Sequence, residues 1–282
     1  MILRKRQQAI GGLLLMVAAL LAGCSSDDAE LAQEPRQTWH VSIPVGDAAT
    51  RSVYLDGTAL KSKWNANQPV IAYSTGEDPV GMLAASESEA GEASGASTLI
   101  TGDISGTYTA NASTLTLYSP AKLTSATYAE YATQDGTVDG EKGISSKDYM
   151  TATVGVTAVD ASSGLLGTEK GTFSRLQSFT KFKFTEAVKT LVISATGMSN
   201  ITIEASEDKD EFYVALPLAG AVTYTFTGTT ASGTVYSVQA TGTLTLGSYY
   251  SATIDFSAAF NASATINNWG PGDTLDEGNL IY

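Results

Sequence analysis

Between Trp39 and Phe256, apolar side chains return at every second position in one short run after another, and no long stretch keeps a helical period with caps. Leu115 and Leu117 share a face in STLTLYSP; Ala152, Val154, Val156 and Ala158 do so in TATVGVTAV. Phe182 and Phe184 follow in FTKFKFT, then Phe212, Val214, Leu216 and Leu218 in EFYVALPL. Strands at this spacing, broken by Gly-rich and Asn/Asp-rich turns, predict an all-β chain of antiparallel sandwiches. The small and charged stretch at 167–175 places a boundary there, dividing the chain into sandwiches at 52–172 and 173–282. Two weaker regions interrupt the strands. The stretch at 84–97 has low complexity and reads as a loop. The turn-rich stretch at 129–150 is expected to decorate the first sandwich.

The N-terminus follows a different logic. Arg4, Lys5 and Arg6 precede an apolar run at 9–21 that is too short to span a bilayer comfortably. The run ends in Leu21-Ala22-Gly23-Cys24, which looks like a bacterial lipobox. Residues 1–23 therefore read as a lipoprotein signal peptide, and Cys24 as the lipidated first residue of the mature chain. Acyl chains there, at about 0.8 kcal/mol per buried CH₂, make a firm anchor to the outer membrane. Asp27, Asp28 and Glu30 lie directly behind it, in a stretch resembling a signal for export to the cell surface. Cys24 is the only cysteine, so intramolecular disulfides are excluded. Sixteen basic residues face 29 acidic ones, a formal net charge of −13, and losing Arg4, Lys5 and Arg6 makes the remainder more acidic still. Such a chain repels nucleic acid and anionic membranes.

Residues 24–51 combine an acidic tether with the first strand. Trp39, Val41, Ile43 and Val45 alternate with His40, Ser42 and Pro44. Pro44 donates no amide hydrogen, which suits an edge position. The linker GDAATRS then carries Arg51 with no obvious structural use. Arg51 is either a solvated loop charge or a cut site.

Catalytic chemistry finds little to stand on. A hydrolytic triad needs a base that is neutral near pH 7, and the one histidine, His40, reads as an outward strand residue. With no second histidine and no further thiol, zinc sites and thiol catalysis lack ligands. Asp208, Asp210 and Glu211 in EASEDKDE lack the glycine and terminal glutamate of a calcium loop and read as a solvated turn. GPGD at 270–273 lacks the spacing of a phosphate loop. No enzyme, metal or cofactor is expected.

The order of parts resembles the fimbrillin family of Bacteroidales, the subunits of type V pili and their accessory relatives. TRSVYLDGTALKSKWNANQPVIAY, with Trp64 ahead of an Asn turn, is similar to the family's mature start. GTFSRLQSFTKFKFT is similar to the opening strand of its second domain, and LTLGSYYSATIDF to a hairpin near its end. ATINNWGPGDTLDEGN is similar to its closing strand. The resemblance implies two tandem transthyretin-like β-sandwiches and a role in cell adhesion as part of a fimbrium. It also implies a head-to-tail polymer with other fimbrial subunits. Arg51 then matches the site cut by an arginine-specific protease. Trp39, Val41, Ile43 and Val45 match the strand removed with its lipid, and Ile266, Trp269, Leu280, Ile281 and Tyr282 match the donating tail. The alternative is a permanently anchored surface lipoprotein that binds glycans or other host or bacterial surface ligands through exposed tyrosines such as Tyr131 or Tyr149.

Overall fold

The computed structural model describes residues 37–45, 52–56, 59–76, 78–86, 98–120, 128–256, 263–265 and 270–271. No α-helix occurs among them. Strand β1 (Thr38–Val45) is followed by a hairpin of β2 (Ser52–Asp56) and β3 (Ala59–Lys63). Then come β4 (Gln68–Tyr73), β5 (Pro79–Ala85), β6 (Thr98–Ser105), β7 (Thr114–Ser119), β8 (Met150–Asp160), β9 (Leu165–Thr168) and β10 (Ser174–Arg175). Apart from the separate β2–β3 hairpin, these strands form one sheet, running β8-β7-β4-β5-β6-β1-β9. Strand β9 also pairs with β8, so the sheet closes into a ring. The short β10 attaches to the start of β8.

The expected first sandwich is therefore a barrel. Alternation inside each strand is the same in both architectures, because each hides one face. What differs is where the last strand pairs. The ring's interior is filled by the inward residues of every stave, among them Val41, Ile43, Val70, Ile100, Leu115 and Val154, each at most 1% exposed. Trp64 is buried there with its ring edge-on to Phe173 at 5.4 Å.

The second sheet begins at β11 (Ser178–Ser194) and β12 (Ile201–Leu216), followed by β13 (Gly220–Thr229), β14 (Val235–Leu244) and β15 (Tyr249–Ile254). Two short pieces complete it, β16 (Ser263–Thr265) and β17 (Gly270–Pro271). The long β11 pairs with β15 through Phe179–Phe184 and with β13 through Thr190–Ser194. Its pairing with β12 shifts register on either side of Val188. Irregularities of this kind bend strands, and here they fold one sheet onto itself. Phe182 on the first half of β11 meets Phe226 of β13 across the fold, with ring centroids 4.9 Å apart. EASEDKDE lies inside β12 and is not a turn. There Asp210 binds Lys183 at 2.6 Å and Glu211 binds Lys181 at 3.1 Å.

The 129–150 stretch does more than decorate the barrel. It holds two 3₁₀ turns, Tyr128–Tyr131 and Ile144–Lys147, and it binds the outer edge of β12. The amides of Thr202 and Tyr213 donate to the carbonyls of Ala132 and Gly136. The Gln134 side chain imitates a strand, accepting from the Ala215 amide at 2.9 Å and donating to the Ala215 carbonyl at 3.0 Å. An uncovered strand edge invites pairing with other chains, and this segment covers part of one. Gly136 makes the close approach feasible. Its φ is +72°, and a Cβ there would lie 2.6 Å from the Phe212 ring.

Between the two sheets lies a third core containing Val53 and Leu60 of the hairpin, Tyr131, Ile144, Tyr149 and Phe179. A buried ion pair runs through it. Arg175 Nε donates to Asp148 Oδ1 at 2.9 Å and its Nη2 to Oδ2 at 3.2 Å. Gln177 Nε2 donates to the same Oδ1 at 2.9 Å, and the Val53 amide donates to Oδ2 at 3.0 Å. Burial is the largest influence on the Asp148 carboxyl and raises it above the ordinary carboxylate range. The opposing pull comes first from Arg175, then from Val53 and Gln177.

Candidate functional site: the first strand and its groove

Four side chains of β1 point into the barrel, as the alternation predicts. Trp39 is 3% exposed, Val41 and Ile43 0%, and Val45 1%. Removing four such side chains from water contributes roughly 1.5–3 kcal/mol each, an upper bound because real unfolded chains already bury part of this surface. The other face carries His40, whose Nδ1 lies 2.9 Å from Asp103 Oδ1 at the exposed surface. At one end, Trp39 Nε1 donates to the Gly106 carbonyl at 2.9 Å, and its ring meets Tyr108 edge-on at 6.4 Å. Burial pushes the Tyr108 hydroxyl up to about 12, and that hydroxyl donates to the Ser105 carbonyl.

The two sides of β1 are unequal. Toward β6 it is antiparallel in unbroken register from Thr38↔Ser105 to Val45↔Thr98. Toward β9 it is parallel and paired only at His40 and Val41. A strand expected at an edge is thus flanked on both sides. Pro44 explains how that is tolerated. The His40 amide donates to the Gly164 carbonyl on the β9 side, and two-residue alternation turns the Pro44 nitrogen the same way. The missing donor faces a margin where β9 no longer runs. There the Pro44 carbonyl accepts from the Gly171 amide at 2.8 Å.

Strand β1 is therefore the stave that joins β6 to β9. All other neighbours in the ring pair without it. Taking it away leaves the meander of β4, β5 and β6 with an open edge, and an apolar slot where four side chains sat. Such an opening accepts a strand of the same alternation and little else. Trp39→Phe is expected to keep the packing and lose the indole bond to Gly106. It should lower stability by about 1 kcal/mol, read as a shifted denaturant midpoint with unchanged slope.

No family model matches the chain, and no curated protein matches it. Solved structures do. Over 82% of its length the chain is similar to a candidate cell adhesion protein from Bacteroides uniformis, at 16% identity and a TM-score of 0.39, covering 98% of that chain. A fimbrial protein from Bacteroides ovatus is similar over the same share at 10% identity and a TM-score of 0.38, covering 51% of that chain. The tip fimbrial protein Mfa3 from Porphyromonas gingivalis, C-terminally truncated, is similar over 77% at 9% identity and a TM-score of 0.36, covering 95% of that chain. Its solved neighbours are fimbrial and cell adhesion proteins.

The remaining expected site residues fall into two groups. Cys24, Arg51, Ile266, Trp269, Leu280, Ile281 and Tyr282 lie outside the described residues. Within the expected tail, β17 pairs with β15 of the same chain, and β16, just before the tail, pairs with β14. The aromatic platforms fare differently. Tyr131 and Tyr149 are 1% and 6% exposed, stacked edge-on at 5.3 Å within the core between the sheets. Neither offers a face to a sugar, which corrects the expectation that they are exposed. A cleft of about 510 Å³ opens between Asn65–Pro69 and the 141–149 segment. Its amides and hydroxyls suit hydrogen bonding, but Tyr149, its one aromatic residue, is turned into the core. Gln177, which accepts from the Tyr131 hydroxyl and the Tyr149 amide, was not legible in the sequence as their partner.

Proposed function

We propose that the protein is a structural subunit or accessory protein of a surface fimbria, exported as a lipoprotein through Cys24 and assembled by strand exchange at the β1 groove. The observation that carries this reading is the position of β1. It is the first described strand, it supplies four buried side chains and a full register to β6, and it alone bridges β6 to β9. A terminal strand of this kind is held by burial and by one continuous ladder. It is connected onward only through the linker that carries Arg51. Cutting after Arg51 by an arginine-specific protease makes β1 a noncovalent guest. A strand from a second subunit then replaces it and closes the next barrel, giving a head-to-tail polymer. Adhesion follows from that assembly at the cell surface.

The test uses the chain from Cys24→Ser onward, exposed briefly to an arginine-specific protease, with intact mass and an unboiled gel as readouts. One clean cut after Arg51 followed by a ladder of stable multimers is the expected result. A chain that stays whole, or one that is cut and stays monomeric, overturns strand exchange and leaves a permanently anchored surface protein.

A further inference from the structure

The hairpin that follows the linker belongs to a different core from the strand that precedes it. Val53 and Leu60 are each 1% exposed, packed among residues of the 131–149 segment, β11, β12 and Tyr249. No residue of β1 is in that core; Trp39, Val41, Ile43 and Val45 all sit in the barrel core. The hairpin is also fixed by chemistry. The Val53 amide, one residue into β2, donates to a carboxylate that is 2% exposed and already bound by Arg175 and Gln177. Gln177 is held in turn by the Tyr131 hydroxyl at 3.0 Å and the Tyr149 amide at 3.1 Å, both donating to its Oε1.

We infer that Asp148, Arg175 and Gln177 form a clamp that holds the β2–β3 hairpin in place independently of β1, so that the hairpin keeps its position when the first strand leaves. This deepens the strand-exchange reading and rests on it for its purpose. Withdrawing β1 then disturbs one stave of the barrel and stops at the linker, and the junction between the two sheets keeps its geometry. Asp148 is a positioning residue here, acting on the hairpin through the Val53 amide.

Hydrogen exchange on the full chain tests the clamp without any cleavage. In Asp148→Asn, the amides of 52–63 are expected to exchange about 100-fold faster, while those of β13 and β14 keep their protection. In Ile43→Asp, molecules whose β1 amides exchange rapidly are expected to keep the hairpin protected at the wild-type level. A hairpin that stays protected in Asp148→Asn overturns the clamp. So does a hairpin that loses protection together with β1 in Ile43→Asp. Should Asp148→Asn leave β13 and β14 unprotected, the double variant Asp148→Leu with Arg175→Met restores an uncharged core and carries the same expectation for Val53. Failure of the cut after Arg51 would show separately in the protease experiment, since none of these readouts uses it.

Discussion

Ile43→Asp is expected to drive β1 out of the barrel and to leave a chain that captures a synthetic peptide of residues 37–45, which the wild type ignores. Ile43 is fully buried and faces Ile100 across the ladder. The substitution loses roughly 1.5–3 kcal/mol of burial, and it places a carboxylate among apolar side chains with no partner, a cost of several kcal/mol more. Together these approach the whole stability of a typical domain, about 5–15 kcal/mol. The chain has a cheaper escape than global unfolding. Strand β1 lies before the other staves, and its ejection returns the carboxylate to water. The vacated slot then holds an unpaired β6 edge and four empty apolar positions, the complement of the wild-type peptide. Fluorescence anisotropy of the labelled peptide reads capture, with Ser42→Asp on the outer face of β1 as the control expected to behave like wild type. Cooperative loss of both sheets in Ile43→Asp, with no peptide capture, would show β1 to be an integral part of the barrel and would sink strand exchange.

Arg175→Met is expected to cost about 3–5 kcal/mol at pH 7 and to recover part of that loss as the pH falls. Arg175 is 4% exposed and its guanidinium is the strongest of the groups opposing the burial of Asp148. Methionine fills much of the volume and supplies no charge. The Asp148 carboxyl, already raised by burial, then rises further above its unfolded value. For a carboxyl raised in the folded state, the folded form binds the proton more readily than the unfolded one. Its contribution is therefore most favourable below the unfolded pKa and is lost as pH rises through the folded pKa. The stability gap between Arg175→Met and wild type should accordingly narrow from pH 7 toward pH 5, and urea titrations at several pH values measure it. A gap that is constant or widens toward acid would mean that Asp148 is not the group left unpaired.

Much of the strand content was legible from residue order. The inward set Trp39, Val41, Ile43 and Val45 follows directly from period-two alternation, because a strand buried on one face leaves few alternatives. The same holds for Phe182 and Phe184, or Val214 and Leu216. Where local pattern and position in the fold diverged, the reading slipped. Tyr131 and Tyr149 sit in a turn-rich segment with no period, which resembles an exposed loop in sequence. They are buried because that segment is wedged between two sheets whose pairing it helps to complete. EASEDKDE, dense in charge, reads as a turn, yet β12 runs through it. There its carboxylates meet Lys181 and Lys183 on the neighbouring strand, a compensation that only pairing reveals.

The sequence by itself determined that the chain is all-β, which residues of most strands face inward, and that β1 is a self-contained apolar strand ahead of a small-residue linker. These properties are local, since alternation and turn chemistry act over a few residues. The tertiary structure alone decided that the first sheet closes into a ring, that β1 lies between β6 and β9, and that Asp148 meets Arg175 beneath the hairpin. Each of those depends on contacts between segments far apart in the chain, and neither register nor closure is encoded in the period of any one strand. Many sheets can bury the same alternating faces, and the choice among them is made by which edges meet.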